Sequence, residues 1–90
     1  MKILIIGAGA VGFSIAKQLS AEGHDISVVD ANPKLTRKIT EKLDVSITTG
    51  NATSPSVLEA AGVEEADMVL AVTTSDEVNI VACILASKYG

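Results

Sequence analysis

The stretch Lys2-Ile3-Leu4-Ile5-Ile6-Gly7-Ala8-Gly9-Ala10-Val11-Gly12, which continues through a helical pattern to Ile26-Ser27-Val28-Val29-Asp30, decides the fold. Ile3 to Ile6 is a short continuous apolar run, as expected of a strand covered on both faces. The glycines follow without a spacer in the pattern G-x-G-x-x-G. In a dinucleotide-binding turn each has its own task. Gly7 allows the tight exit from the strand, Gly9 lets backbone approach a pyrophosphate with no Cβ in between, and Gly12 lets the helix lie close to the strand. The start of that helix then offers unpaired N–H groups and a positive dipole end to phosphates. Alone, such a motif is weak. Here it follows a strand and opens a helix, and an acid, Asp30, closes the next strand. These are the contexts that support the fingerprint.

Ninety residues allow one small domain. Hydrophobic residues make up 48% of the chain and aromatics 2%, so the core has to be aliphatic. The net charge of −4 argues against nucleic acid as a partner. Basic residues crowd into Lys34, Arg37, Lys38 and Lys42, read as a solvated helix face, while positions 44–87 carry none. Cys83 is the single cysteine, which excludes an intrachain disulfide; in its apolar run it reads as a buried, inert thiol. Lys2 and the run after it look superficially like a secretory signal, but three glycines and then Lys17 and Gln18 break the pattern. No apolar run approaches the ~20 residues of a membrane span. The expectation is a soluble, cytoplasmic chain with no direct membrane insertion.

The order of signals is β-α four times over. The first helix is expected over Ala10 to Ala21, with Val11, Ile15 and Leu19 as its sheet-facing stripe and Gly23 as its stop. Asn32 and Pro33 read as N-cap and first residue of a second helix reaching Leu43, with Leu35, Ile39 and Leu43 inward. Val45 to Thr48 reads as the third strand. Ser54 and Pro55 open a short third helix ending at Gly62. Met68 to Val72 is the fourth strand, and Thr74 with Glu77 forms the T-x-x-E pattern of a capping box before a last helix. That helix, through Ile80-Val81-Ala82-Cys83-Ile84-Leu85-Ala86, is apolar all round and needs cover on more than one side. The fold class is therefore α/β: a Rossmann-like parallel sheet in the order 3-2-1-4, with helices on both faces.

In such a sheet the ligand crevice lies beyond the carboxyl ends of the strands. The candidate contacts are Gly7, Ala8, Gly9, Ala10, Val11 and Gly12 for the phosphates, and Asp30 with Ala31 for the adenosine ribose. Asn51 and Ala52 can reach an adenine edge, and Thr73 and Thr74 the phosphate or distal ribose. A carboxylate at position 30 accepts from both ribose hydroxyls and repels a 2′-phosphate, and Ala31 stands where an NADP-type site often offers an arginine. This favours NAD over NADP. It does not separate NAD or NADH from ATP, ADP or AMP, which present the same free ribose. His24 reads as a loop residue. Asp76 and Glu77 read as first-turn acids on a helix dipole rather than an acid–base pair.

The chain resembles the N-terminal nucleotide-binding lobe of the Trk/Ktr regulatory subunits of bacterial potassium uptake, the RCK or KTN domain. The likeness runs through Gly7-Ala8-Gly9 with Val11-Gly12, Val28-Val29-Asp30, Gly50-Asn51-Ala52-Thr53, Leu58-Glu59-Ala60-Ala61-Gly62, Ala66-Asp67-Met68 and Ala71-Val72-Thr73-Thr74-Ser75-Asp76-Glu77. The last block is the more specific, since dehydrogenases share only the first. Asn51 stands where many relatives carry an aspartate, and the family lobe has six strands where this chain has the equivalent of four. The resemblance implies a non-catalytic domain that binds NAD(H) or an adenine nucleotide and gates a membrane potassium transporter from the cytoplasmic side, as a piece of a larger regulatory protein. The chain's exposed last strand and last helix further imply a homo-oligomer. The competing reading is the cofactor half of an NAD-dependent dehydrogenase. Against it, the chain shows no placed general acid or base.

Overall fold

The computed structural model describes residues 1–89. Four strands form one parallel sheet: β1 (Lys2–Ile6), β2 (Asp25–Asp30), β3 (Ser46–Thr49) and β4 (Met68–Ala71). Their order is β3-β2-β1-β4. Three helices connect them, α1 (Ala10–Ala21), α2 (Pro33–Lys42) and α3 (Pro55–Ala60), and a fourth, α4 (Asp76–Ser87), follows β4. A single 3-10 turn, Val63–Glu65, leads from α3 into β4. The register places Ile5 beside Val28 on one side and beside Leu70 on the other, so β1 is the centre of the sheet.

The continuous apolar run of β1 is explained by burial on both faces. Leu4 and Ile6 join Val29, Leu58, Val63 and Ala82 on the face covered by α3 and α4. Ile3 and Ile5 join Ala16, Ile26, Val28 and Ile39 on the face covered by α1 and α2. The period-2 alternation of a strand splits one run between two cores.

Several boundaries and faces depart from the expected ones. The buried line of α1 passes through Gly12 and Ala16, whereas Val11 is 58% exposed. The helix lies so close to the β1 turn that only small residues fit, and a Cβ on Gly12 would collide with the Gly7 carbonyl. Of the expected stripe, Ile15 and Leu19 do pack, partly buried, against the core on this face, and Val11 alone falls outside it. β2 begins at Asp25, and β3 is shifted one residue along from its expected span. The start of α4 is capped by Ser75, whose Oγ accepts from the Val78 N–H at 3.3 Å, so the expected Thr74–Glu77 box is not the cap. Ser54 sits at the N-cap of α3, but its hydroxyl pairs with Ser56 Oγ at 3.0 Å. Cys83 is exposed, not buried. The sheet covers α4 along Ala82, and Cys83, the next residue round the helix, turns away from it.

Candidate functional site

A cavity of about 530 Å³ opens at the carboxyl ends of the strands, between the first turn of α1 and the loops after β2, β3 and β4. Gly7, Gly9, Ala10 and Val11 form one wall, and Asp30, Ala31, Asn51 and Ala52 another. Thr73, Thr74 and Ser75 close the far end. Ala8 and Gly12 do not line the cavity; both are buried behind its wall. The sequence had not singled out Asn32, Leu35, Gly50, Ser75 and Val78, which also line it. Asn32 and Gly50 follow strand ends closely, Ser75 is the N-cap of α4, and Leu35 and Val78 lie in the first turns of α2 and α4.

The three motif glycines differ in what requires them. Gly7 has φ +118°, and a Cβ there would lie 3.0 Å from Thr73 N and from Val72 C. Gly12 is held against the Gly7 carbonyl. The fold itself accounts for both. Gly9 has φ −71° and ψ −167°, which any residue adopts, and a Cβ there would meet nothing within 4 Å. Nothing within the chain demands a glycine at this position.

Gly9 is also the N-cap of α1, and no side chain caps this helix. The helix carries no acid in its first turn. The other two long helices differ: Asn32 Oδ1 accepts from Lys34 N–H at 2.9 Å in α2, and Ser75 serves α4. The first amides of α1 thus face the cavity with their donor capacity and dipole uncompensated.

Asp30 joins the two walls. Its Oδ2 accepts from the Ala8 N–H at 2.8 Å and its Oδ1 from the Asn32 N–H at 2.8 Å. An ionised carboxylate offers about four lone-pair directions, so each oxygen keeps acceptor capacity beyond these two bonds. Asn51 is also partly engaged. Its Oδ1 accepts from the Thr53 N–H at 2.9 Å and from the Thr53 hydroxyl at 2.7 Å. The free polar group of Asn51, itself exposed, is the amide NH₂. It offers two donors, while the acceptor oxygen is already engaged.

The far end is organised by Asn79, which sequence reasoning missed. Asn79 Oδ1 accepts from the Thr73 N–H at 3.0 Å and lies 2.6 Å from the Thr73 hydroxyl, and its Nδ2 donates to the Thr73 carbonyl at 3.1 Å. The Thr73 hydroxyl also lies 3.0 Å from the Ser75 carbonyl and accepts from the Ser75 N–H at 3.1 Å. Its single proton is committed within the loop, so Thr73 offers the cavity shape more than a donor. Thr74 is exposed.

A parallel sheet whose strand order reverses at β1, with a glycine turn opening a helix at that switch point, defines the Rossmann-like class. The sequence matches the TrkA-N domain profile over residues 3–90, and the chain belongs to the TrkA-N domain family. It is 52% identical over 83 residues to the Trk system potassium uptake protein TrkA of Azorhizobium caulinodans, covering 92% of this chain and 18% of that protein. It is 42% identical over 86 residues to a TrkA homolog of Pyrococcus abyssi, covering 96% of this chain and 38% of that one. The chain thus spans well under half the length of these relatives. Among solved structures it resembles the Kef CTD of Shewanella denitrificans in AMP-bound form, with TM-score 0.82, 26% identity, and coverage of 98% of this chain and 52% of that one. The NAD(P)-binding domain of an exopolyphosphatase-related protein from Archaeoglobus fulgidus shares the fold, with TM-score 0.84 at 19% identity, over 98% of this chain and 65% of that one. Among the described residues no helix is long and apolar enough to cross a membrane.

Proposed function

We propose that residues 1–90 form one NAD(H)- or adenine-nucleotide-binding regulatory domain of a potassium uptake system. The ligand lies across the carboxyl ends of β1, β2 and β3, with pyrophosphate at Gly9–Val11, ribose hydroxyls on Asp30, and adenine beside Asn51 and Ala52. The domain is not a catalyst. It works on the cytoplasmic side, as part of a homo-oligomer, by shifting the conformation of an associated membrane transporter subunit. Such a shift is limited to the ligand's differential affinity for the two states.

The observation that carries this reading is Gly9. Its backbone conformation and open surroundings leave its missing side chain unexplained by the fold, at the uncapped start of α1. Close approach of a ligand explains it. The relatives named for potassium uptake and the AMP-bound Kef domain support the regulatory role and the ligand class. Isothermal titration with NAD⁺, NADH, ATP and AMP tests it. At least one should bind the parent, and Gly9→Val should bind none while keeping its fold. A Gly9→Val variant that binds as tightly as the parent would place the pyrophosphate elsewhere.

A further inference from the structure

The sheet divides the charges of the domain. On the face covered by α1 and α2, the two helices carry Lys17, Lys34, Arg37, Lys38 and Lys42 and one acid, Glu41. On the other face, α3, the 3-10 turn and α4 carry Glu59, Glu64, Glu65, Asp76 and Glu77 and no base. The five cations are all exposed. Among the described residues the one ion pair joins His24 to Glu22, so none of the five is neutralised by a neighbouring acid. Lys38 Nζ stands 5.9 Å from the centre of the Phe13 ring, which joins the outer surfaces of the two helices. Lys17 lies one turn beyond Phe13 on the same side of α1. None of the five lines the cavity at the strand ends.

The fold does not account for this face. Lys34, Lys38 and Lys42 recur at intervals of four, where like charges repel along a helix. Lys34 also stands in the first turn of α2, which holds no acid, against the positive end of the helix dipole. An external anionic partner explains both. From Lys34 to Lys42 the row runs about 12 Å at ~1.5 Å per residue, longer than one phosphate group and suited to an extended surface. The domain is 19 Å across in its thinnest direction. A plane laid against α1 and α2 is thus about two screening lengths of ~8 Å from the acids across the sheet, and it meets the basic face despite the net charge of −4. Short cytoplasmic loops of membrane proteins carry an excess of Lys and Arg, whereas the leaflet around them carries anionic lipid. Resting on the placement of the domain beside a membrane transporter, we propose that the α1–α2 face docks on anionic lipid headgroups through Lys17, Lys34, Arg37, Lys38 and Lys42. Each Lys or Arg near such a surface adds only about fivefold to binding, so the contact orients the domain against the bilayer rather than anchoring it.

Co-sedimentation of the 90-residue chain with vesicles tests this. Vesicles of phosphatidylcholine with about 40% phosphatidylglycerol should bind it at least about fivefold more tightly than pure phosphatidylcholine in about 0.1 M salt, and about 0.5 M salt should remove the difference. The triple variant Lys34→Gln/Lys38→Gln/Lys42→Gln should lose about tenfold or more of the binding, while Lys88→Gln, beyond the end of α4, should lose none. The triple variant should melt no lower than the parent, because it removes the repulsion along α2, so unfolding cannot explain its loss. No preference for the anionic vesicles, or a triple variant that binds them as the parent does, would overturn the proposal. So would tighter binding of polyglutamate or duplex DNA than of vesicles at equal anionic charge, which would give the face to an acidic protein or to nucleic acid. Loss of self-association by the triple variant without vesicles would give it to the acidic helices of a second copy. Nucleotide titration stands apart: a parent that binds the vesicles but no nucleotide would overturn the reading of the cavity and leave that of the basic face in place.

Discussion

The carboxylate of Asp30 accepts the Ala8 N–H at 2.8 Å, so the end of β2 is tied to the glycine turn after β1. The residue expected to hold a ribose therefore also holds the protein. With its second bond, to the Asn32 N–H, it fixes the entry to α2. Hydrogen bonds to charged groups contribute roughly 1.5–3 kcal/mol when buried, and less at a half-exposed carboxylate such as this one. Asp30→Ala should lower unfolding stability by about 1–3 kcal/mol in urea melts as well as weakening nucleotide binding. A variant as stable as the parent would show that the two bonds contribute nothing. The parent should bind NAD⁺ at least about tenfold more tightly than NADP⁺, since loss of one charge-assisted bond exceeds ~1.4 kcal/mol. Equal dissociation constants would remove the ribose role.

The glycines should separate in mutagenesis. Gly12→Ala drives a methyl group into the Gly7 carbonyl and should cost about 1–3 kcal/mol or more of stability. Gly9→Ser places a hydroxyl at an uncapped helix start and should raise the melting temperature, since a serine N-cap is slightly better than glycine. The same hydroxyl stands where the ligand approaches, so nucleotide affinity should fall. A Gly9→Ser domain that is more stable and binds as well as the parent contradicts the close approach.

Asn79 should prove to be a loop clamp. Asn79→Ala removes three hydrogen bonds to Thr73 and leaves its backbone groups short of partners, at a cost of about 1–3 kcal/mol. Amide exchange at Thr73 and Ser75 should accelerate in this variant while the strands stay protected. Unchanged exchange in that loop would mean the clamp is not needed.

Self-association should follow from the uncovered side of the sheet. Met68, on the edge strand β4, and Ile80, Val81 and Ile84, on α4, are 41%, 61%, 40% and 55% exposed. β4 carries no charge or proline that would discourage pairing. Sedimentation equilibrium of the 90-residue domain should show a mass rising above 9.2 kDa through micromolar concentrations. A specific contact would bury on the order of 1,000 Å² or more. Ile84→Asp should weaken association far more than nucleotide binding. A monomer mass at every concentration would refute the expectation.

The single tyrosine gives a pH dependence. Tyr89 donates to Glu59 Oε1 at 2.7 Å, and this bond, then slight desolvation and the charges of Glu59 and Glu64, raise its pKa above 10.0. A pKa raised by folding stabilises the native state fully below the unfolded value. The contribution is lost as pH rises through the folded value. Stability should therefore fall above about pH 10 as the phenol ionises. Ultraviolet titration of Tyr89 should move back toward the unperturbed midpoint in Glu59→Ala, and an unmoved midpoint would rule out the pairing.

Much of this architecture was legible in residues. The apolar run at Ile3–Ile6, the G-x-G-x-x-G turn and the caps at Asn32 and Gly23 correspond to the observed centre, turn and helix ends. What escaped was anything decided by distance rather than periodicity. Val11 fits the apolar stripe, but the crowding that admits only Gly12 and Ala16 depends on how near the helix lies. Thr74 and Glu77 fit a capping pattern, yet Ser75 lies at the position where the chain turns helical. Asn79 sits in the first turn of α4 between Val78 and Ile80, and its partner Thr73 is six residues away across a loop. Ala8 and Gly12 belong to the motif, but their work in the free domain is structural.

The central position of β1 bears on how the chain assembles. β1 precedes the other three strands in the chain, and its partner β2 follows after one helix, so the pairing Ile5 with Val28 closes over a short loop. The other side of β1 waits for β4, with Ile5 meeting Leu70 only after β2, β3 and three helices have been made. Loop closure and contact order put the first pairing early and the second late. During synthesis a βαβ nucleus carrying the glycine turn and Asp30 can form before the far end of the cavity exists. Kinetically, the half of the cleft between β1 and β2 should form first, and docking of β4 and α4 should complete it.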